Sequence, residues 1–118
     1  MSDESQTEVF SREQLSNCRR IVIKIGSALL SGTSKKPFNH FATQISALRR
    51  SGHHVVLVSS GAIAQGLPIL GIKSRPSQLG QLQAAAATGQ PYLMQRWSSA
   101  FGKFNIPVAQ VLLTHAGL

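Results

Sequence analysis

Two short stretches of the chain combine residue types that can hold an anion. Lys24-Ile25-Gly26-Ser27 closes one β-branched run, and Ser59-Ser60-Gly61-Ala62 closes another. In the first, Lys24 brings a point charge suited to a transferring phosphoryl group, Gly26 permits close backbone approach, and Ser27 adds a hydroxyl. In the second, Ser60 offers a hydroxyl, Gly61 tolerates an unusual backbone conformation, and Ala62 opens a stretch that reads as a helix whose first N–H groups face an anion. Each stretch also has a plain structural reading. The Lys24 stem can lie along its strand with the amine reaching water at the sheet edge, and residues 59–62 can be an ordinary strand-to-helix turn.

The carboxylates narrow the chemistry further. Asp3, Glu4, Glu8 and Glu13 are the four acidic residues of the chain. Of its twelve Lys and Arg only Arg12 precedes residue 14, which leaves eleven cations and no carboxylate from Gln14 onward. That segment can assemble no carboxylate pair, no Ser-His-Asp relay and no Asp/Glu-held Mg²⁺. Residues 59–66 also lack the G-x-S-x-G frame of a nucleophile elbow, and neither a Walker loop nor G-x-G-x-x-G occurs. What remains are cations, hydroxyls and backbone N–H groups.

These groups need elements to position them. Ile21 to Ile25 and His54 to Ser59 have the length and composition of buried strands. Between them Phe38, Phe41, Ala42, Ile45 and Leu48 recur at helical spacing, and Arg49-Arg50 followed by Ser51-Gly52 make a cationic last turn and a stop. A helix start follows Gly61; residues 66–76, broken by Pro68, Gly71 and Pro76, read as a loop or short irregular helix. A long apolar stripe from Leu79 to Phe104 predicts a helix kinked or restarted near Gly89 to Pro91. Ile106 to Leu113 reads as a third strand, with Pro107 confined to its start.

Strands alternating with helices imply an α/β fold with a mostly parallel sheet covered on both faces. Ligands of such sheets gather beyond the carboxyl ends of the strands, where both candidate stretches fall. Residues 1–16 are polar and aperiodic and read as a flexible acidic arm, leaving 17–118 as the folded part.

The remaining features exclude more than they suggest. With 42% hydrophobic residues and mean hydropathy of +0.03, the chain has the make-up of a soluble domain. No apolar run is long enough to span a membrane and no signal peptide precedes the first strand, so a cytoplasmic location is expected. Cys18 is the single cysteine, and His40, His53, His54 and His115 lack metal-ligand spacing. Paired cations at 19–20, 35–36 and 49–50 come without the aromatic strands or basic helix face that nucleic-acid binding favours, so nucleic acid is not the expected partner.

Taken together, V-I-K-I-G-S-A-L-L, V-V-L-V-S-S-G-A-I-A-Q-G, Q-A-A-A-A-T-G-Q and P-V-A-Q-V-L-L-T resemble, in order and spacing, the N-terminal half of the glutamate 5-kinase family within the amino-acid kinase superfamily. The resemblance implies a three-layer α/β/α sandwich and ATP-dependent phosphorylation of the L-glutamate γ-carboxylate, a first step of proline biosynthesis, with Mg²⁺ accompanying the nucleotide. By the same resemblance Lys24 is the catalytic lysine on the ATP phosphates, Gly26 and Ser27 belong to its phosphate loop, and Ser60, Gly61 and Ala62 form the glutamate-binding turn. No residue of this chain is assigned to the metal.

After Thr114 the pattern departs, with His115-Ala-Gly-Leu118 where the family has an acidic segment and then its nucleotide half. The resemblance therefore implies a truncated kinase, incomplete as a catalyst, and leaves a homo-oligomer open. Two other classes remain beside it. One is a non-catalytic remnant that binds anions or pairs with a kinase subunit through a sheet edge and the helix around Leu93 to Phe104; the other is a basic nucleic-acid-binding module.

Overall fold

The computed structural model of the chain describes residues 11–113. They form α1 (Arg12–Asn17), β1 (Arg20–Ile25), a 3-10 turn (Ser27–Leu30), α2 (Lys36–Arg50), β2 (His54–Ser59), α3 (Ala62–Ile69) and α4 (Leu79–Gly102). Residues 1–10 of the expected arm lie outside the described residues. Its remainder is α1, a capped turn in which the Ser11 hydroxyl accepts from the Gln14 N–H and the Gln14 side chain accepts from the Ser11 N–H; none of its residues is buried.

β1 and β2 pair in parallel, with Lys24 opposite Val58 and Ile25 opposite Ser59, so both strands end at one edge. The Ser60 N–H donates to the Ile25 carbonyl at 3.0 Å and carries the pairing one residue past β2. Ile23 and Ile25 of β1, with Val55 and Leu57 of β2, face a core built from Phe38, Ala42 and Ile45 of α2 and Leu93, Trp97 and Phe101 of α4. Edge-on packing of Phe38 against Trp97, with ring centroids 4.8 Å apart, locks the two helices together.

The α/β class and the parallel pairing match expectation, but three expectations need correction. Among the described residues the sheet is covered on one face: Val22 and Val56 keep 69% and 60% of their surface exposed, and Lys24 and Val58 share that face. Uniformly apolar strands predict two buried faces, but the described residues supply one helical layer, since α2 and α4 join the same core. Ile106 to Leu113 makes no ladder. Ile106 and Val108 pack on the core, while Val111, Leu112 and Leu113 stand exposed. A strand exists only with a neighbour to bond, and among the described residues the sheet contains β1 and β2 alone. Finally, α3 reaches Ile69, with Pro68 inside its last turn, and α4 runs unbroken through Pro91.

Close backbone contact explains one glycine in each of these two helices. A Cβ on Gly66 would lie 1.9 Å from the Ala85 carbonyl oxygen, and one on Gly89 would lie 1.8 Å from that of Ala62. Gly89 is therefore a contact surface for α3 and marks no break in α4. Left-handed residues end the helices as the sequence suggests for α2. Gly52 (φ 96°) and Gly71 (φ 72°) follow the caps of α2 and α3, and in each case the next residue's N–H returns to the helix, His53 to Leu48 and Ile72 to Leu67. Asn105, at φ 58°, does the same for α4, with Ile106 bonding back to Phe101.

Candidate active site

The common edge at which β1 and β2 end is where the candidate residues meet. An open cleft of about 410 Å³ has Ser27 on one wall and Ser60, Gly61 and Ala62 on another, with Arg75 and Ala86 completing it. Four of the six residues singled out from the sequence are thereby brought together. Lys24 and Gly26 are not on the cleft wall. Lys24 is exposed and projects from the uncovered face, because it alternates with Ile25, whose side chain enters the core.

Local structure explains why these residues can be presented. Gly61 sits at φ 117°, ψ 0° as the N-cap of α3. A Cβ there would meet only the Leu93 and Leu30 side chains at 3.7–3.9 Å, ordinary contact, so the backbone conformation and not space demands glycine. No side chain caps α3, so its first N–H groups are without intrahelical acceptors at the cleft wall. Gly26 is extended (φ −76°), and a methyl on its Cα would meet nothing within 4 Å, which leaves its backbone open to a visitor.

The two adjacent serines have different tasks. The Trp97 indole N–H donates to the Ser59 hydroxyl oxygen at 2.9 Å, and that hydroxyl donates to the Ser60 carbonyl at 3.0 Å. Ser59 is thus occupied in fastening the turn to α4. Ser60 is exposed and its hydroxyl has no hydrogen bond among the described residues, so it is available to a ligand.

Sequence reasoning missed two arginines. Arg75, in the connection between α3 and α4, contributes a cation to the cleft. Nothing local marks it, since the return of that connection to the strand ends is a tertiary matter. Arg96 keeps 9% of its surface exposed in the core-facing stripe of α4. Its guanidinium donates through Nη1 to the Gly32 carbonyl (3.1 Å) and the Gln65 amide oxygen (2.8 Å), and through Nη2 to the Thr33 carbonyl. Gln65 in turn donates to the Leu30 carbonyl at 2.9 Å. The segment after Ser27 is therefore tied to α3 and α4 by side chains. The one available signal for a buried cation was its position, one step before Trp97 in the apolar stripe.

Electrostatically the edge suits anions. Among the described residues Glu13 is the single carboxylate, and no group of three metal-ligating side chains occurs. The cleft therefore suits anionic groups such as phosphate or carboxylate, and the residues of its wall include no carboxylate, imidazole or thiol to hold a metal ion. No helix among the described residues is long and apolar enough to cross a membrane.

A parallel β-α-β unit whose strand ends carry K-x-G-S and S-S-G-A belongs to a known class. The chain is a member of the amino acid kinase family, whose model matches residues 19–118. The curated relatives it resembles are glutamate 5-kinases. That of Acinetobacter baylyi is 48% identical over 111 residues, covering 91% of this chain and 29% of the relative. That of Aromatoleum aromaticum is also 48% identical, over 91% of this chain and 30% of the relative. The Thermus thermophilus enzyme is 50% identical over 101 residues, 83% of this chain and 27% of its own length. The chain thus spans under a third of the length of these relatives.

Proposed function

We propose that this chain carries part of a glutamate 5-kinase site, in which the γ-carboxylate of L-glutamate attacks the terminal phosphoryl group of ATP. The observation that supports it is the cleft with Ser27 and the Ser60-Gly61-Ala62 turn on its walls, at the edge where both strands end. In this reading Ser60, Gly61 and the first N–H groups of α3 hold glutamate by its carboxylates. Ser27 and the open backbone of Gly26 receive the nucleotide phosphates; the family resemblance makes Lys24 their cation, a role that requires its amine to reach round the strand end from the uncovered face on which it now lies. ATP acts with Mg²⁺, which the described residues of this chain do not hold.

Two anionic reactants repel, and in-line transfer depends mostly on holding them close against positive charge and N–H donors. The cleft wall supplies such donors and the Arg75 cation, and among the described residues nothing that could hold the Mg²⁺ of the nucleotide. This chain therefore contributes binding and orientation, and we expect no turnover from it alone.

Isothermal titration of the 118-residue chain with L-glutamate tests the reading. Saturable binding is expected, weakened about tenfold or more by Ser60→Ala, because a hydrogen bond to a charged group contributes roughly 1.5–3 kcal/mol. Absence of glutamate binding, or binding indifferent to Ser60→Ala, would count against the assignment. Formation of γ-glutamyl hydroxamate by this chain with ATP and Mg²⁺, abolished in Lys24→Ala, would show that it is a complete catalyst after all.

A further inference from the structure

A second cleft, of about 250 Å³, lies between the start of α2 and the last turns of α4 and shares no wall residue with the first. We propose that it is a separate binding site for a small, multiply charged oxyanion. Lys35, Arg96 and Lys103 all line it, and no carboxylate does. Lysine and arginine side chains this close together repel, and Glu13, the one acidic residue among those described, is not on the wall to offset them. Asn39 and Ser99 add neutral polar groups to the wall.

The state of Arg96 carries the argument furthest. Its side chain is nine-tenths buried, yet its hydrogen-bond acceptors are all neutral oxygens and its other neighbours include the Phe38 and Tyr92 rings. A buried guanidinium with no anionic partner retains its full charge, and an anion beside it would offset the cost of burial. Three of its five N–H donors are used by those oxygens, which leaves Nε–H and the second Nη2 proton. Neither of these donors has a hydrogen-bond partner among the described residues, and Arg96 lines this cleft. Beside it the Lys103 ammonium donates to the Asn39 side-chain oxygen at 3.0 Å, which leaves the Asn39 amide N–H₂ group as a further donor.

The size and walls set the ligand class. The cleft is at the small end for organic ligands, and its wall includes Phe38 and Tyr92, whose rings lie 4.9 and 5.3 Å from the Arg96 guanidinium. A phosphomonoester or a di- or tricarboxylate meets both conditions. Because Arg96 also holds Gly32, Thr33 and Gln65, an anion bound here bears on the segment that follows Ser27.

Amide chemical-shift titration of the ¹⁵N-labelled chain with inorganic phosphate, and separately with citrate, tests the site, with ionic strength held constant by sodium chloride. Saturable shifts at Asn39, Ser99 and Lys103 are expected with at least one probe, and the stronger probe tells phosphoryl from carboxylate chemistry. Affinity should fall about tenfold in the Lys35→Gln/Lys103→Gln double variant. Ser99→Glu, which places a carboxylate on an exposed part of the wall, should abolish the shifts while leaving the rest of the spectrum in place. Shifts that never saturate, that are confined to Ser60 to Ala62, or that survive both variants would overturn the proposal.

Discussion

Replacing Gly89 with alanine tests the packing on which the candidate active site rests. The added methyl would lie 1.8 Å from the Ala62 carbonyl oxygen and 2.6 Å from the Gly66 nitrogen. Both are backbone atoms, so no side chain can rotate away, and α3 and α4 must part by more than 1 Å to restore a 3.0 Å contact. Such overpacking costs about 3 kcal/mol or more when backbones must move. Exchanging glycine for alanine inside a helix returns about 1 kcal/mol. The expected net loss is about 2 kcal/mol, a large share of the roughly 5–15 kcal/mol available to an ordinary domain. Trp97 is the single tryptophan and is buried against Phe38 and Phe101, so urea unfolding followed by its emission reads the loss as a lower midpoint at unchanged slope. Gly102→Ala provides the control, since a methyl there meets nothing within 4 Å and helix propensity alone should make it neutral or stabilising. A Gly89→Ala midpoint at or above that of the parent would refute the direct helix contact.

Two further outcomes follow from single positions. Gly61→Ala has room for its methyl but not the backbone freedom that φ 117° requires, and should lower stability by about 1–2 kcal/mol in the same unfolding measurement. Arg96→Leu leaves the Gly32 and Thr33 carbonyls and the Gln65 amide oxygen without their donor, and should cost about 2–4 kcal/mol; hydrogen exchange should accelerate first in residues 30–33.

What could be seen in the sequence was what is decided locally. The β-branched runs of β1 and β2, the helical spacing of Phe38, Ala42 and Ile45, and the Ser51-Gly52 stop each depend on residues a few positions apart, and all are found in the fold. The residues of the two turns were legible for the same reason, because both follow directly on strands. Ile106 to Leu113 failed as a strand because pairing depends on what lies alongside, which hydrophobic pattern does not encode. Gly89 beside Pro91 suggested a kink, since the sequence offers no sign that α3 leans on that glycine. Arg75 and Arg96 escaped notice because one acts through a returning loop and the other through burial, and both are consequences of assembly.

The uncovered valines of the sheet set a colloidal balance for the chain in solution. Val22, Val56 and Val58 present apolar surface, on a face shared with Lys24, that attracts its like, and a net charge of +8 keeps copies apart. Salt weakens only the second of these forces, its screening length falling to about 8 Å at physiological ionic strength. Concentrated solutions of this chain should therefore scatter more light as salt is added, and any surface that shields those valines will act as a solubiliser.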